Sequence, residues 1–161
     1  MEMKFYLVFI TALIPLLVGM IWYNKNVFGK PWMQATGITE QDAKGTNMIL
    51  VFLLTYVFGV MISVAMMTIV IHQMSVGSVF QGDESQVAKD FLKNFFENYG
   101  TRFRTFKHGV LHGVISAIFI GLPLIGISAM FERRNWKYIL ITLGYWIVCF
   151  ALIGGILCQY L

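Results

Sequence analysis

The chain of 161 residues is 58% hydrophobic and only 12% charged, and its mean hydropathy of +0.71 excludes an ordinary soluble domain. The formal net charge of +4 is typical, in such a chain, of loops that lie near anionic lipid. We therefore expect a lipid bilayer, and no nucleic acid, among the partners of this protein.

Four runs without Asp, Glu, Lys or Arg are long enough to cross a membrane, since a helix needs about 20 apolar residues to cross roughly 30 Å of hydrocarbon. They cover about residues 5–24, 48–71, 108–131 and 138–161. The first run ends in the aromatic pair Trp22-Tyr23, as expected at headgroup level, and no small-x-small cleavage site follows it. The sequence thus predicts one all-α membrane domain over residues 1–161, with four transmembrane helices in two hairpins.

Two connections carry helix signals. In the first, Pro31 suits the start of a short interfacial helix, and Thr39 followed by Asp42 suits the cap of a second helix. In the other, residues 84–99 predict an amphipathic helix on the membrane or on the bundle, because apolar side chains recur at helical spacing opposite most of the charges. These apolar residues are Val87, Phe91, Leu92, Phe95 and Tyr99. A solvated strut that closes a long loop is the alternative.

Lys and Arg do not orient the four predicted spans. One membrane face would carry Lys4, Lys89, Lys93, Arg102, Arg104 and Lys107, and the other Lys25, Lys30, Lys44, Arg133, Arg134 and Lys137. Because the positive-inside rule depends on an excess of these residues on one face, the equal division leaves the orientation open.

Small residues recur every fourth position in the third run, which lets another helix approach closely in lipid. They are Gly109, Gly113, Ala117 and Gly121, and the fourth run offers a similar surface at Ala151, Gly154 and Gly155. We expect these surfaces to pack against neighbouring helices.

The three histidines of the chain and one cysteine form a candidate metal site. His108 and His112 stand four residues apart, so they share a helix face at about 6 Å, a spacing used by pairs of metal ligands. His72 ends the second run and Cys158 lies near the end of the fourth, on the same predicted membrane face. Imidazoles and a thiolate suit zinc or copper. Alternatively, the histidines are interfacial anchors or donate hydrogen bonds between helices.

No charged residue lies inside any run, which disfavours transport through a charged intramembrane site. A neutral path would have to use hydroxyl groups, at Thr55, Ser63, Thr68, Ser116 and Ser128. Pro15 and Pro123 each remove a helical hydrogen bond in mid-span. We find no phosphate-binding loop, serine elbow or paired carboxylates, so we do not expect an enzyme unless its chemistry rests on the histidines.

The segments "WYNKNVFGKPWMQATGIT", "FKHGVLHG" and "AMFERRNWKYILITLGYWIVCFALIGGILCQYL" resemble the bacterial membrane-protein family catalogued as domain of unknown function seventeen-sixty-one. The resemblance implies a small multi-pass protein of a bacterial cytoplasmic membrane. It brings no established activity. The family-like positions without an assigned role are Trp32, Met33, Arg133, Arg134 and Tyr145.

Three functions are compatible with these features. The one that we favour is a non-enzymatic bundle that oligomerises or joins a larger membrane complex through its small-residue faces. The second is a small permease or channel for a neutral or metal solute. The third is a metal- or haem-binding membrane protein that uses His72, His108, His112 and Cys158.

Overall fold

A computed structural model describes residues 4–39, 41–42 and 45–161, and every regular element in these ranges is helical, which confirms the all-α class. The elements are α1 (Tyr6–Thr11), α2 (Ile14–Trp22), α3 (Gly29–Thr36), α4 (Met48–Val70), α5 (His72–Val79), α6 (Gln86–Tyr99), α7 (Phe106–Ser116), a π-helical turn (Ala117–Gly121), α8 (Leu122–Phe131) and α9 (Trp136–Tyr160).

Three helices are long and apolar enough to cross a membrane, which indicates a membrane protein. They are α4 with 23 residues, the continuous helix Phe106–Phe131 with 26 and α9 with 25. The first predicted span is a shorter apolar segment, Tyr6–Trp22. At 1.5 Å per residue its helical part reaches only about 25 Å.

The first apolar segment is broken ahead of Pro15, between Thr11 and Ile14. Proline has no N–H to donate to the preceding turn, so the helix is interrupted where the sequence predicts a lost hydrogen bond. Neighbouring helices stabilise the break. The Tyr145 hydroxyl donates to the Pro15 carbonyl over 2.9 Å, and a Cβ at Gly59 would collide with the backbone of this segment.

The connection between α2 and α4 contains the predicted short helix, which starts within two residues of the predicted position. Helix α3 starts at Gly29, two residues before Pro31. The predicted cap also forms. The N–H of Thr39 donates to the Asp42 carboxylate over 2.8 Å, and the N–H of Asp42 donates to the Thr39 hydroxyl over 3.4 Å. Hydrogen bonds from Thr39 lower the pKa of the Asp42 carboxyl. The helix predicted after this cap lies partly outside the described residues, as does Lys44.

Helix α9 lies at the centre of the structure and contacts α1, α2, α3, α4, α7 and α8. Its closest neighbour is α7, because glycines remove the side chains between the two backbones. A Cβ at Gly109 would collide with the Gly154 carbonyl, and a Cβ at Gly113 would collide with the Phe150 carbonyl. Gly155 receives the ring of Phe106.

The two remaining positions of the predicted small-residue stripe differ from each other. Ala117 is fully buried, whereas a Cβ at Gly121 would meet no atom within 4 Å. The stripe therefore leaves the helix interface near the π-helical turn, where the wider turn rotates the following residues relative to the preceding ones.

Hydrogen bonds between chain segments show which helix ends lie together. Lys4 N–H donates to the Leu161 carbonyl over 3.2 Å, and Phe106 N–H donates to the Gln159 side chain over 3.1 Å. The end of α4 joins the same region through His72. We call this region the histidine end. At the other end of the molecule, Trp22 Nε1 donates to the Ile141 carbonyl over 3.1 Å.

Helix α6 occupies Gln86–Tyr99, close to the predicted range of 84–99, and Ser85 caps it by accepting from Ala88 N–H over 3.2 Å. It packs on α5, and the ring centroids of Phe80 and Phe91 lie 4.9 Å apart. Buried Gln73 fixes the far end of α6, because its amide donates to the Tyr99 carbonyl over 3.0 Å and to a carbonyl of the next turn over 2.7 Å.

Candidate metal centre

All three histidines of the chain meet at the histidine end. The Nε2 atoms of His72 and His108 are 3.0 Å apart. One ring nitrogen from each of His72, His108 and His112 falls within 4.8 Å of the others. The sequence-predicted histidine cluster is therefore present as a geometric arrangement.

Local backbone structure brings the rings together. Helix α4 ends at Val70, and Ile71 leaves helical geometry at φ −108 and ψ 88 before α5 begins at His72. On the other side of the site, Thr105 caps α7 by accepting from His108 N–H over 3.3 Å. The helical repeat of α7 then places His112 on the same face as His108, with ring centroids 4.5 Å apart.

Cys158 is not in the cluster, although its depth in α9 matches the prediction. Its thiol is fully buried and lies 3.4 Å from the carbonyls of both Val70 and Phe103. The ring of Phe103 in turn stacks on His108 with centroids 5.2 Å apart. Cys158 therefore contacts the segments next to His72 and His108 and does not belong to the group of ring nitrogens.

The donor set fits a metal that prefers nitrogen ligands. Ligands at 2.0–2.1 Å from a tetrahedral zinc lie about 3.3 Å apart, and the 3.0 Å between His72 and His108 Nε2 is close to that separation. His72 is exposed, and His108 and His112 are partly buried. Three protein ligands leave a fourth position open, so this site resembles exchangeable or catalytic sites more than closed structural ones.

The family-like positions lie toward the end of the molecule that is opposite the histidine end. Several of them contact the connection between α2 and α4. The rings of Trp32 and Tyr145 each lie 5.3 Å from the ring of Tyr23. Arg134 donates to the Thr36 carbonyl over 2.5 Å.

Two more of these positions shape turns. The Met33 carbonyl accepts from Gly37 N–H over 2.9 Å at the end of α3. Arg133 adopts a positive φ of 55 in the turn before α9. The observed contacts of the family-like positions are structural, and none of them involves the histidines.

The hydroxyl groups suggested for a neutral path mostly bond within their own helices. Thr55, Thr68 and Ser116 donate to carbonyls three or four residues earlier over 2.7–2.8 Å. Ser63 is buried and lies 3.0 Å from the hydroxyl of Thr11, and Ser128 is exposed. Three of the five hydroxyls thus bond within their own helix, and Ser63 bonds between α4 and α1.

A cleft of about 740 Å³ adjoins the centre, and His72 belongs to both. It lies between α5, α6 and the turn that follows α6. Its wall includes Val76, Phe91, Phe95, Tyr99 and Phe103. Sequence reasoning missed this cleft because it assigned the apolar face of residues 84–99 to the membrane or the bundle, and the helical spacing of the aromatics was its only signal.

The chain matches the model of one protein family. No curated protein matches the chain, and no solved structure does. The family model described as "Protein of unknown function (DUF1761)" matches residues 6–158, which confirms the resemblance drawn from the sequence. The chain therefore belongs to the DUF1761 family.

Proposed function

We propose that this membrane protein binds a zinc or copper ion through His72, His108 and His112. The observation that supports the proposal is the convergence of one ring nitrogen from each histidine within 4.8 Å. Neutral imidazole is a good ligand for both metals. Since His72 is exposed, the ion would load from the aqueous side and exchange, with its open position available to a further ligand.

We also propose a four-span topology with the metal centre at one membrane surface. The antiparallel packing of the first apolar segment against α9, seen in the hydrogen bonds at both of its ends, supports its crossing the bilayer. Its 17 residues (6–22) match the lower limit for a spanning helix, about 17 residues. The start of α7 and the end of α4 would then meet at the same surface, beside the histidines.

Helix α6 would lie along that surface, because its long polar face needs water and its aromatic face packs on α5. Lys89, Lys93 and Glu97 are exposed on it. The family resemblance implies a bacterial cytoplasmic membrane, and we propose that location for the protein.

Oligomerisation or membership of a larger membrane complex remains a second proposal. Gly109, Gly113, Gly154 and Gly155 pack within one chain, so they do not supply the interface. Another surface would have to do so. The π-helical turn and α8 offer one, since a Cβ at Gly121 in the turn or at Gly126 in α8 would meet nothing within 4 Å.

The metal proposal is tested by the metal content of protein purified without a histidine tag. We expect about one zinc or copper ion per chain after growth with both ions, and loss of that ion in His112→Ala. Cys158→Ala is the matched control, because its thiol faces carbonyl groups outside the cluster, and we expect it to retain the ion. Negligible metal in the wild-type protein would refute the proposal.

A further inference from the structure

We propose that the cleft beside His72 binds a single-chain fatty acid, with the carboxylate near Arg102 and the metal centre and the acyl chain along the aromatic wall. The inference deepens the proposed function in one respect, because the metal would be a second anchor for the carboxylate. The cleft, the positive charge of Arg102 and the aromatic wall do not depend on a bound metal.

The size and the composition of the cleft suit a small apolar ligand. Its volume of about 740 Å³ lies within the range of roughly 300–1,000 Å³ common for small-molecule sites. The rings of Phe91 and Phe95 stack with centroids 6.4 Å apart, and Phe80 packs against the first of them at 4.9 Å. Val76 completes the apolar wall. Apolar surface that borders a cavity favours a chain of methylene groups over water.

Arg102 gives the cleft a positively charged end. Its guanidinium lies 5.7 Å from the ring centroid of Tyr99 and 5.3 Å from that of Phe103. Within residues 4–39, 41–42 and 45–161, no carboxylate makes a salt bridge with it. Buried Gln73 donates to the backbone carbonyl of Arg102 over 2.7 Å, so the backbone that carries this side chain is held in place before any ligand arrives. A planar guanidinium matches a carboxylate with two parallel hydrogen bonds.

The other charged residue in the lining does not oppose this assignment directly. The Asp90 carboxylate accepts a hydrogen bond from the Gln86 amide over 2.8 Å, one turn earlier on α6. Its negative charge remains, but Asp90 lies nine residues before Tyr99, the end of α6 that is next to Arg102, which is about 13 Å along the helix at 1.5 Å per residue. Arg102 remains as the group of the lining whose charge favours an anionic head.

The metal centre explains why a carboxylate suits the site better than an uncharged head. His72 lines the cleft and also belongs to the histidine cluster. Carboxylate oxygen is an ordinary zinc ligand, and the three histidines leave one coordination position open. A carboxylate held beside His72 would therefore lie next to the histidines that would bind the ion. The lining has one apolar wall, formed by α5, α6 and the turn that follows α6, and we place a single acyl chain along it.

The test is photocrosslinking of the full chain in phosphatidylcholine nanodiscs with a diazirine analogue of palmitate, followed by peptide mapping. We expect labels on α5 and α6, competed by palmitate at least tenfold better than by hexadecanol or a palmitoyl lysophospholipid. Val76→Trp or Asn94→Trp should fill the cleft and reduce labelling at least tenfold. Arg102→Gln should weaken palmitate competition several-fold, and Lys93→Gln, an exposed residue outside the cleft, should leave it unchanged.

Two outcomes would overturn the proposal. One is labelling spread along the lipid-facing side of α4 that neither tryptophan variant reduces, and the other is equal competition by hexadecanol or by the lysophospholipid. The metal question is answered separately by His112→Ala, since His112 is not part of the cleft lining. If the protein holds no metal but Arg102→Gln still weakens binding, the fatty-acid site is supported and the metal anchor is refuted.

Discussion

His72 and His108 approach to 3.0 Å between their Nε2 atoms although 36 positions separate them in the chain. The contact joins the end of α4 to the start of α7. Two neutral imidazoles can share one proton across such a distance, and a metal ion can take the place of that proton. Experiments on this pair can therefore distinguish a hydrogen bond between the two histidines from a metal ion bound by them.

Metal binding should depend steeply on pH. Each imidazole must be neutral to act as a ligand, and a free imidazole has a pKa of about 6.5. Protonation competes with the metal as the pH falls, so we expect the apparent affinity to be constant above about pH 7.5 and to drop more than tenfold per pH unit at about pH 5 and below, because more than one proton is displaced. Equilibrium dialysis against zinc buffers measures this. A flat profile between these limits would contradict three-histidine ligation.

Adding one methyl group at Gly113 should destabilise the contact between α7 and α9. A Cβ there would collide with the Phe150 carbonyl, whereas a Cβ at Gly126 would meet nothing within 4 Å. We expect Gly113→Ala to cost about 1–3 kcal/mol, as for other overpacked sites, and Gly126→Ala to be neutral or slightly stabilising because alanine favours helix. Thermal unfolding in detergent compares the two variants. Equal stability would show that α7 does not pack on α9 at this position.

The hydroxyl of Tyr145 should stabilise the break before Pro15. Tyr145→Phe removes the donor to that carbonyl, and we expect a loss of about 1 kcal/mol, typical of a hydrogen bond between membrane helices. Tyr6→Phe is the control, because Tyr6 is 58% exposed. If both variants unfold at the same temperature as the wild type, the bond contributes nothing measurable.

The four-span topology predicts opposite accessibility for two exposed positions. Glu132 lies in the turn between α8 and α9, and Gln86 lies at the start of α6. In sealed vesicles, a membrane-impermeant thiol reagent should label Glu132→Cys and Gln86→Cys from different sides. The native thiols of Cys149 and Cys158 are buried, so the unsubstituted chain serves as the background control. Labelling from the same side would contradict the topology.

Sequence periodicity predicted part of the candidate centre and could not predict the rest. The pairing of His108 with His112 follows from the helical repeat alone. The up-down order of the apolar runs also brings His72 to the same end. Depth along a helix does not fix the face of a residue, since each step turns the helix by about 100°. Cys158 therefore has the expected depth but faces the carbonyl of Val70.

The fold was likewise predictable from the sequence only in part. The lost hydrogen bond at Pro15 was predictable from local chemistry, but the neighbours that stabilise the break come from distant helices. The stripe that begins at Gly109 was predictable as a packing surface, yet its end at Gly121 depends on the π-helical turn. The cleft beside α6 depends on how α5 and α6 pack, which periodicity does not specify.

X-ray absorption at the zinc edge of the loaded protein is the most direct test of the proposed centre. We predict three imidazole nitrogens at about 2.0–2.1 Å from the ion, with one further light ligand and no sulfur. The His112→Ala variant should lose this spectrum, and Cys158→Ala should keep it. A sulfur neighbour at about 2.3 Å, or zinc that cannot be retained through gel filtration, would contradict a centre built from His72, His108 and His112.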